Sequence, residues 1–379
     1  MNSSSNPKTN LPKKFLLKIL IGGLSIALIL SAIPFKNFFS PVNAQSGVCT
    51  GEFQSVGIPL TELGTAEYIR MDGLNTGFSG GLYPDGSNQR PPAHEIAGRN
   101  IARSIVPLDS SGSPDPENGK IVMLSIGMSN TNAEYDTFSK NVEEDSQLHP
   151  RLMLINGALG GQTSDKWTDP NAISWQELSN TLERYQVSAQ QVQVAWIKET
   201  QTRGGDFPAK AQALQADLEQ ILKNLKAAYP NVKIAYFSSR IYSYTYWRGL
   251  SPEPNAYETG FAVKWLIEKQ INGDPELNFD PQNGPVTVPY LSWGPYLWAD
   301  GQNPREDGLV WLPEDLTFDC THPTESGRQK VAGMLLDFFK TDTTTRIWFM
   351  ENFTEDSDIY LPLVTHTAQP LPGASVFAR

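Results

Sequence analysis

The chain has 379 residues, enough for one large domain with a full core or two modest ones. Its 41 acidic side chains against 30 Lys and Arg give a formal charge of −11, which makes nucleic acid and anionic lipid poor partners. Two Cys and four His are too few and too scattered for a typical zinc set, and the glycines form neither a P-loop nor a dinucleotide fingerprint, so no metal and no cofactor is expected.

Residues 1–44 read as an export signal. Lys13, Lys14 and Lys18 precede an apolar run from Ile19 to Ile33, and Val42-Asn43-Ala44 offers a small-residue cleavage site before Gln45. The gap between run and site is long, so an uncleaved membrane anchor is the alternative. No Cys sits at the site, so a lipoprotein anchor is not expected. This segment holds five Lys and no acid; without it 25 bases face 41 acids, a formal charge of −16.

Residues 45–119 read as a loop-rich extension. Ser79-Gly80-Gly81-Leu82-Tyr83-Pro84-Asp85-Gly86 is dense in turn formers, a helix is expected from about His94 to Ser104, and 108–119 is a polar linker. From residue 120 to 340 the pattern is regular. Short apolar runs at Ile121–Ile126, Leu152–Ile155, Val192–Ile197 and Val232–Phe237 read as buried strands. Helical stretches lie between them, the clearest at 208–228, where Leu214, Leu218, Ile221, Leu222 and Leu225 share a face and Pro230 stops the run. Further helices are expected near 258–271 and from Pro323 to Lys340. Strands alternating with helices imply an α/β, three-layer α/β/α domain whose central parallel sheet is covered on both faces. Ligands then bind beyond the carboxyl ends of the strands. The tail, 341–379, has no clear period, although Ile359–Val364 suits an edge strand.

Three blocks carry chemistry. Gly127-Met128-Ser129-Asn130 follows the first strand, where a Ser projects its hydroxyl into the cleft and its own N–H can face an oxyanion. An ordinary turn or helix cap is the plainer reading of this block alone. Asn156-Gly157-Ala158-Leu159-Gly160-Gly161-Gln162-Thr163-Ser164 follows the second strand, and its small residues let backbone approach a substrate. Asp319-Cys320-Thr321-His322-Pro323 precedes the last helix, where Asp-x-x-His can set a carboxylate against an imidazole acting as general base. Among the other histidines, His149 and His366 read as solvated and His94 as a surface residue. Cys49 and Cys320 allow two readings, a disulfide or two free thiols; a bridge would tie the N-terminal segment to the Asp319–His322 loop.

In their order these blocks resemble the SGNH/GDSL hydrolase superfamily over roughly residues 120–340. The resemblance implies the flavodoxin-like SGNH hydrolase fold and a cofactor-independent serine esterase. Ser129 would be the nucleophile, and Asp319 and His322 its acid–base partners. The N–H groups of Ser129 and Gly161 would serve as oxyanion donors. The chain departs from the family pattern at Met128, where Asp is usual. It departs again in the third block, where an Asn is usual and Val194-Ala195-Trp196-Ile197-Lys198-Glu199-Thr200 has none. Lys198 is the expected substitute donor to the oxyanion, with Glu199 as the alternative occupant and ordinary surface charge as the plainer reading.

Aromatic residues cluster at Tyr290, Trp293, Tyr296, Trp298 and Trp311, and at Tyr242, Tyr244, Tyr246 and Trp247. They suit sugar rings or acyl groups, but core packing is the commoner use. The expected partner is a small ester or an acylated carbohydrate, an acetyl ester being the first choice by family analogy. The rival reading, prompted by the two departures, is a non-catalytic glycan- or envelope-binding protein on the same fold. The expected location is outside the cytoplasm, periplasmic or extracellular.

Overall fold

The computed structural model describes residues 47–202, 205–246, 250–351 and 353. The export segment, Trp247, His366 and the Ile359–Val364 run lie outside the described residues. In chain order the elements are α1 (Leu60–Leu63), β1 (Glu67–Ile69), β2 (Asn75–Ser79), α2 (Pro92–Arg103), β3 (Ile121–Gly127), α3 (Ser129–Glu143), β4 (Leu152–Ile155), α4 (Ser164–Trp167) and α5 (Ile173–Arg184). They continue with β5 (Val192–Lys198), α6 (Ala209–Ala228), β6 (Ile234–Phe237), α7 (Asn255–Ile271), β7 (Tyr290–Trp293), α8 (Glu325–Thr341) and α9 (Arg346–Phe349).

Five strands form one parallel sheet in the order β4-β3-β5-β6-β7. The chain begins near one edge, crosses to β4, and then returns past β3 to the far side. That reversal at β3 opens a crevice at the carboxyl ends of β3 and β5, the topological switch point at which such sheets bind ligands. Every residue of β3 and β5 is buried. This is why both strands read as continuous apolar runs rather than alternating ones. Helices α2, α3, α8 and α9 cover one face, and α4 to α7 the other.

The four expected strands and the helices at 92–103, 209–228 and 255–271 agree with the sequence reading to within a few residues. The final helix starts later than expected. Thr324 is its N-cap and Glu325 its first residue, so Pro323 ends the preceding loop instead of opening the helix. A fifth strand, β7, was not expected; it lies inside the first aromatic cluster, where Pro and Gly punctuate the sequence.

Apart from half-buried Tyr246, the described residues of both aromatic clusters are core. Trp293, Trp298, Trp311, Tyr242 and Tyr290 are all buried. Trp196 of β5 stacks on Tyr135 of α3 at 5.8 Å, and the Tyr135 hydroxyl donates to the Met123 carbonyl. Residues 47–119 brace this core. Tyr68 packs among Phe207, Tyr257 and Phe261, and Val56 N–H and the Ser55 hydroxyl both bind Asp300. No helix among the described residues is long and apolar enough to cross a membrane.

Candidate active site

Gly127 ends β3 because no other residue fits there. A Cβ at that position would lie 2.4 Å from Thr131 Oγ1 and 2.5 Å from the Lys198 carbonyl oxygen. The tight junction passes directly into α3. Met128 is the N-cap and has no side-chain capping atom, and Ser129 is the first helical residue. Ser129 is therefore not the cap that its block allowed. The opening N–H groups of α3 have no intrahelical acceptor, so the helix presents free donors and the positive end of its dipole beside the Ser129 side chain.

The loop after β4 is fastened to this junction. Leu159 N–H donates to the Gly127 carbonyl at 2.9 Å, and Asn132 Nδ2 donates to the Ala158 carbonyl at 2.7 Å. Asn156 accepts from Ser125 Oγ and donates to the Asn132 carbonyl and Asp136. Gly160 lies beside Ser129: a Cβ on it would be 3.8 Å from Ser129 Cβ. Gly161 follows with φ +72 and open space where a Cβ would stand, and Lys166 Nζ holds its carbonyl at 2.7 Å.

The Asp319–His322 loop approaches from α8. Ser129 Oγ lies 2.7 Å from His322 Nε2, and His322 Nδ1 lies 2.5 Å from Asp319 Oδ2. With the proton on Nδ1 the imidazole donates to Asp319 and accepts from the Ser129 hydroxyl. The other carboxylate oxygen, Oδ1, accepts from the backbone N–H of Thr321 and of His322, each at 3.0 Å, and from the Thr317 hydroxyl at 2.8 Å. Burial pushes the Asp319 carboxyl up. The His322 ring, these backbone N–H groups and Thr317 outweigh burial and hold it well below the usual carboxylate range.

The turn itself is over-determined. Cys320 has φ +59, a strained conformation for a residue with a side chain. Its carbonyl accepts from Tyr244 N–H and the Ser243 hydroxyl, both at 3.1 Å. Its sulfur is bonded to Cys49, which resolves the two open readings as a disulfide. The segment around Cys49 runs as a short antiparallel bridge against Thr317, with Cys49 N–H on the Leu316 carbonyl. Asn130 Nδ2 donates to the Thr321 carbonyl at 2.9 Å, locking the loop to α3.

Two expectations fail. Lys198 does not serve the cleft. Its side chain is fully buried and its ammonium is held by both carboxylate oxygens of Glu134 on α3. The reason is the strand end itself: a lysine on the last residue of a wholly buried strand points inward and requires an anion. Glu199 is also buried, with Oε2 on Thr200 N–H and Oε1 without a partner among the described residues; burial pushes it well above the ordinary carboxyl range. His94 is likewise no surface residue. Its ring stacks on Tyr290 at 4.3 Å, Nε2 binds the Leu291 carbonyl, and burial pulls its pKa to about 4.

A cavity of about 300 Å³ opens at Ser129, lined also by Met128, Arg240, Leu250, Phe318 and His322. Sequence reasoning missed Arg240 and Phe318. Arg240 stands three residues beyond β6, a strand-end position that could have drawn attention, and Phe318 is exposed beside Asp319. None of the residues 47–119 lines this cavity. Among the described residues no group of acidic, His or Cys side chains is arranged to hold a metal ion.

No protein-family model matches the chain, and no curated protein matches it. Solved structures do. One is assigned as an acylhydrolase from Bacteroides fragilis, at 13% identity over 66% of this chain and 97% of that one, with a TM-score of 0.35. A second, assigned as an SGNH hydrolase from Slackia heliotrinireducens, is 15% identical over 58% of this chain and 99% of that one, TM-score 0.31. A third is a family two carbohydrate esterase from Clostridium thermocellum in complex with cellohexaose, 14% identical over 60% and 65% of the two chains, TM-score 0.33.

Proposed function

We propose that this chain is an exported serine esterase of SGNH type that hydrolyses an ester through Ser129, His322 and Asp319. The observation that carries the reading is the unbroken hydrogen-bond chain from Ser129 Oγ through the imidazole to Asp319. His322 Nε2 takes the hydroxyl proton as Oγ bonds to the carbonyl carbon. The negative charge that develops on the carbonyl oxygen is met by the N–H of Ser129, at the start of α3, and by that of Gly161, in the loop after β4. His322 then gives its proton to the departing alcohol. Water, activated by the same imidazole, releases the acyl group as an acid and restores Ser129. Asp319, kept ionised, fixes the tautomer and stabilises the imidazolium.

An acyl group on a carbohydrate is the proposed substrate. The exposed ring of Phe318 at the cavity mouth suits a sugar face or a short acyl chain. Export is supported by the Cys49–Cys320 bond, which persists in oxidising compartments. The test is labelling of the mature protein with a fluorophosphonate, read by peptide mass. Modification at Ser129 that disappears in His322→Ala is expected. A folded protein that stays unlabelled would point to a glycan-binding role instead. Mature chains beginning at Gln45 would confirm the cleaved signal, and a longer N-terminus the anchor.

A further inference from the structure

Arg240 lines the same cavity as Ser129 and His322, yet its side chain is almost wholly buried. Among the described residues its Nη1 has no hydrogen-bond partner, and no carboxylate lies within ion-pair distance of the guanidinium. The two acids whose fields reach it are Glu134 and Glu199. Glu134 has both oxygens on Lys198, and burial drives Glu199 toward its neutral form. A buried cation without a counter-ion is costly, because water has been removed from it and nothing has replaced that water. The fold tolerates this one at the wall of the cavity where a ligand enters.

Building on the esterase reading above, we infer that Arg240 is a specificity-determining residue that binds a carboxylate carried by the substrate. A guanidinium fork matches a carboxylate with two parallel N–H donors, a geometry that an ammonium does not offer. In that reading the oxyanion does not need Arg240, since Ser129 and Gly161 are its two donors. The apolar walls, Leu250 and Phe318, can accept the uncharged part of the same molecule.

The carboxylate could belong to the acyl side or the alcohol side, and two ester pairs separate these. One pair is 4-nitrophenyl acetate and 4-nitrophenyl hemisuccinate; the other is acetylated glucose and acetylated glucuronic acid. In the full mature protein one pair is expected to favour its charged member by about tenfold or more in kcat/KM, the worth of one charge-assisted contact. Arg240→Met should bring that ratio near unity, chiefly through KM, and Arg240→Lys should restore part of it. A fluorophosphonate-reactive enzyme with no preference in either pair overturns the proposal. So does Arg240→Met if it lowers kcat on charged and neutral esters alike, because that marks an oxyanion role. Two measurements need neither turnover nor an Arg240 variant that folds. Ser129→Ala protein should bind succinate or glucuronate, followed by calorimetry, and bind succinamide and glucose at least about tenfold more weakly. Equal affinity for the charged and neutral compounds, or no binding of either, sinks the proposal even where the esterase reading has failed separately.

Discussion

Two cations are buried at the carboxyl end of the sheet, and they meet opposite fates. Lys198 closes β5 and is clasped by Glu134 of α3. Arg240, beyond the next strand, has no such anion among the described residues. The Lys198 pair joins strand to helix in the interior, and its charges cancel. It adds nothing to the cleft except the rigidity of the β3–α3–β5 corner on which Ser129 stands. The unpaired guanidinium contributes little to the fold and retains its field for whatever enters. A residue's charge thus says less about its role than whether its neighbours have already neutralised it.

The comparison can be broken or sharpened by experiment. It presumes a working cleft, so the largest effect belongs to the chemistry. His322→Ala should lower kcat/KM on an activated acetyl ester by about 10³-fold or more, while far-UV circular dichroism stays unchanged. A loss under tenfold would deny His322 its role as base. Next comes the closed pair. Glu134→Gln strands the Lys198 ammonium and should cost roughly 3–5 kcal/mol in urea unfolding, and adding Lys198→Met should recover most of that. If folded Lys198→Met loses selectivity as Arg240→Met does, the contrast between the two cations collapses.

His94 shows a third way to keep a base inside, by shedding its proton. Its folded pKa of about 4 lies below its ordinary 6.5. Unfolded chains therefore bind the extra proton, and the stability present above pH 6.5 is lost as pH falls toward 4. The total is roughly 3 kcal/mol at about 1.4 kcal/mol per unit. Unfolding free energies measured between pH 7 and 4 should flatten in His94→Gln. The smallest effect is at Asn130, whose bond to the Thr321 carbonyl holds the His322 loop. Asn130→Ala should cost about 1 kcal/mol of stability and lower kcat more than it raises KM.

The contrast also explains what the sequence could and could not reveal. Short apolar runs made β3, β4, β5 and β6 legible, and the Asp-x-x-His spacing drew attention to the loop that the structure sets against Ser129. β7 was not, because Tyr290-Leu291-Ser292-Trp293 is too aromatic to separate from its Pro- and Gly-rich surroundings. Lys198 was misread because its partner Glu134 is 64 positions away and only folding brings them together. His94 looked solvated beside Glu95, yet β7, the strand that buries it, was itself unseen. Arg240 carried no signal beyond its distance from a strand end.

The Cys49–Cys320 bond also bears on when the molecule can act. Cys320 sits between Asp319 and His322, in the strained turn that sets Asp319 against His322 and His322 against Ser129. The segment bonded to it belongs to the very start of the described chain. In a cytosol that keeps thiols reduced, the turn loses its tether at the moment when newly made protein is surrounded by the cell's own esters. In a chain exported as proposed above, oxidation would complete this corner of the candidate site last. The cross-link would then work as a customs stamp: it would record that the chain has left the cell's reducing interior, at the place where a missing stamp would be felt first.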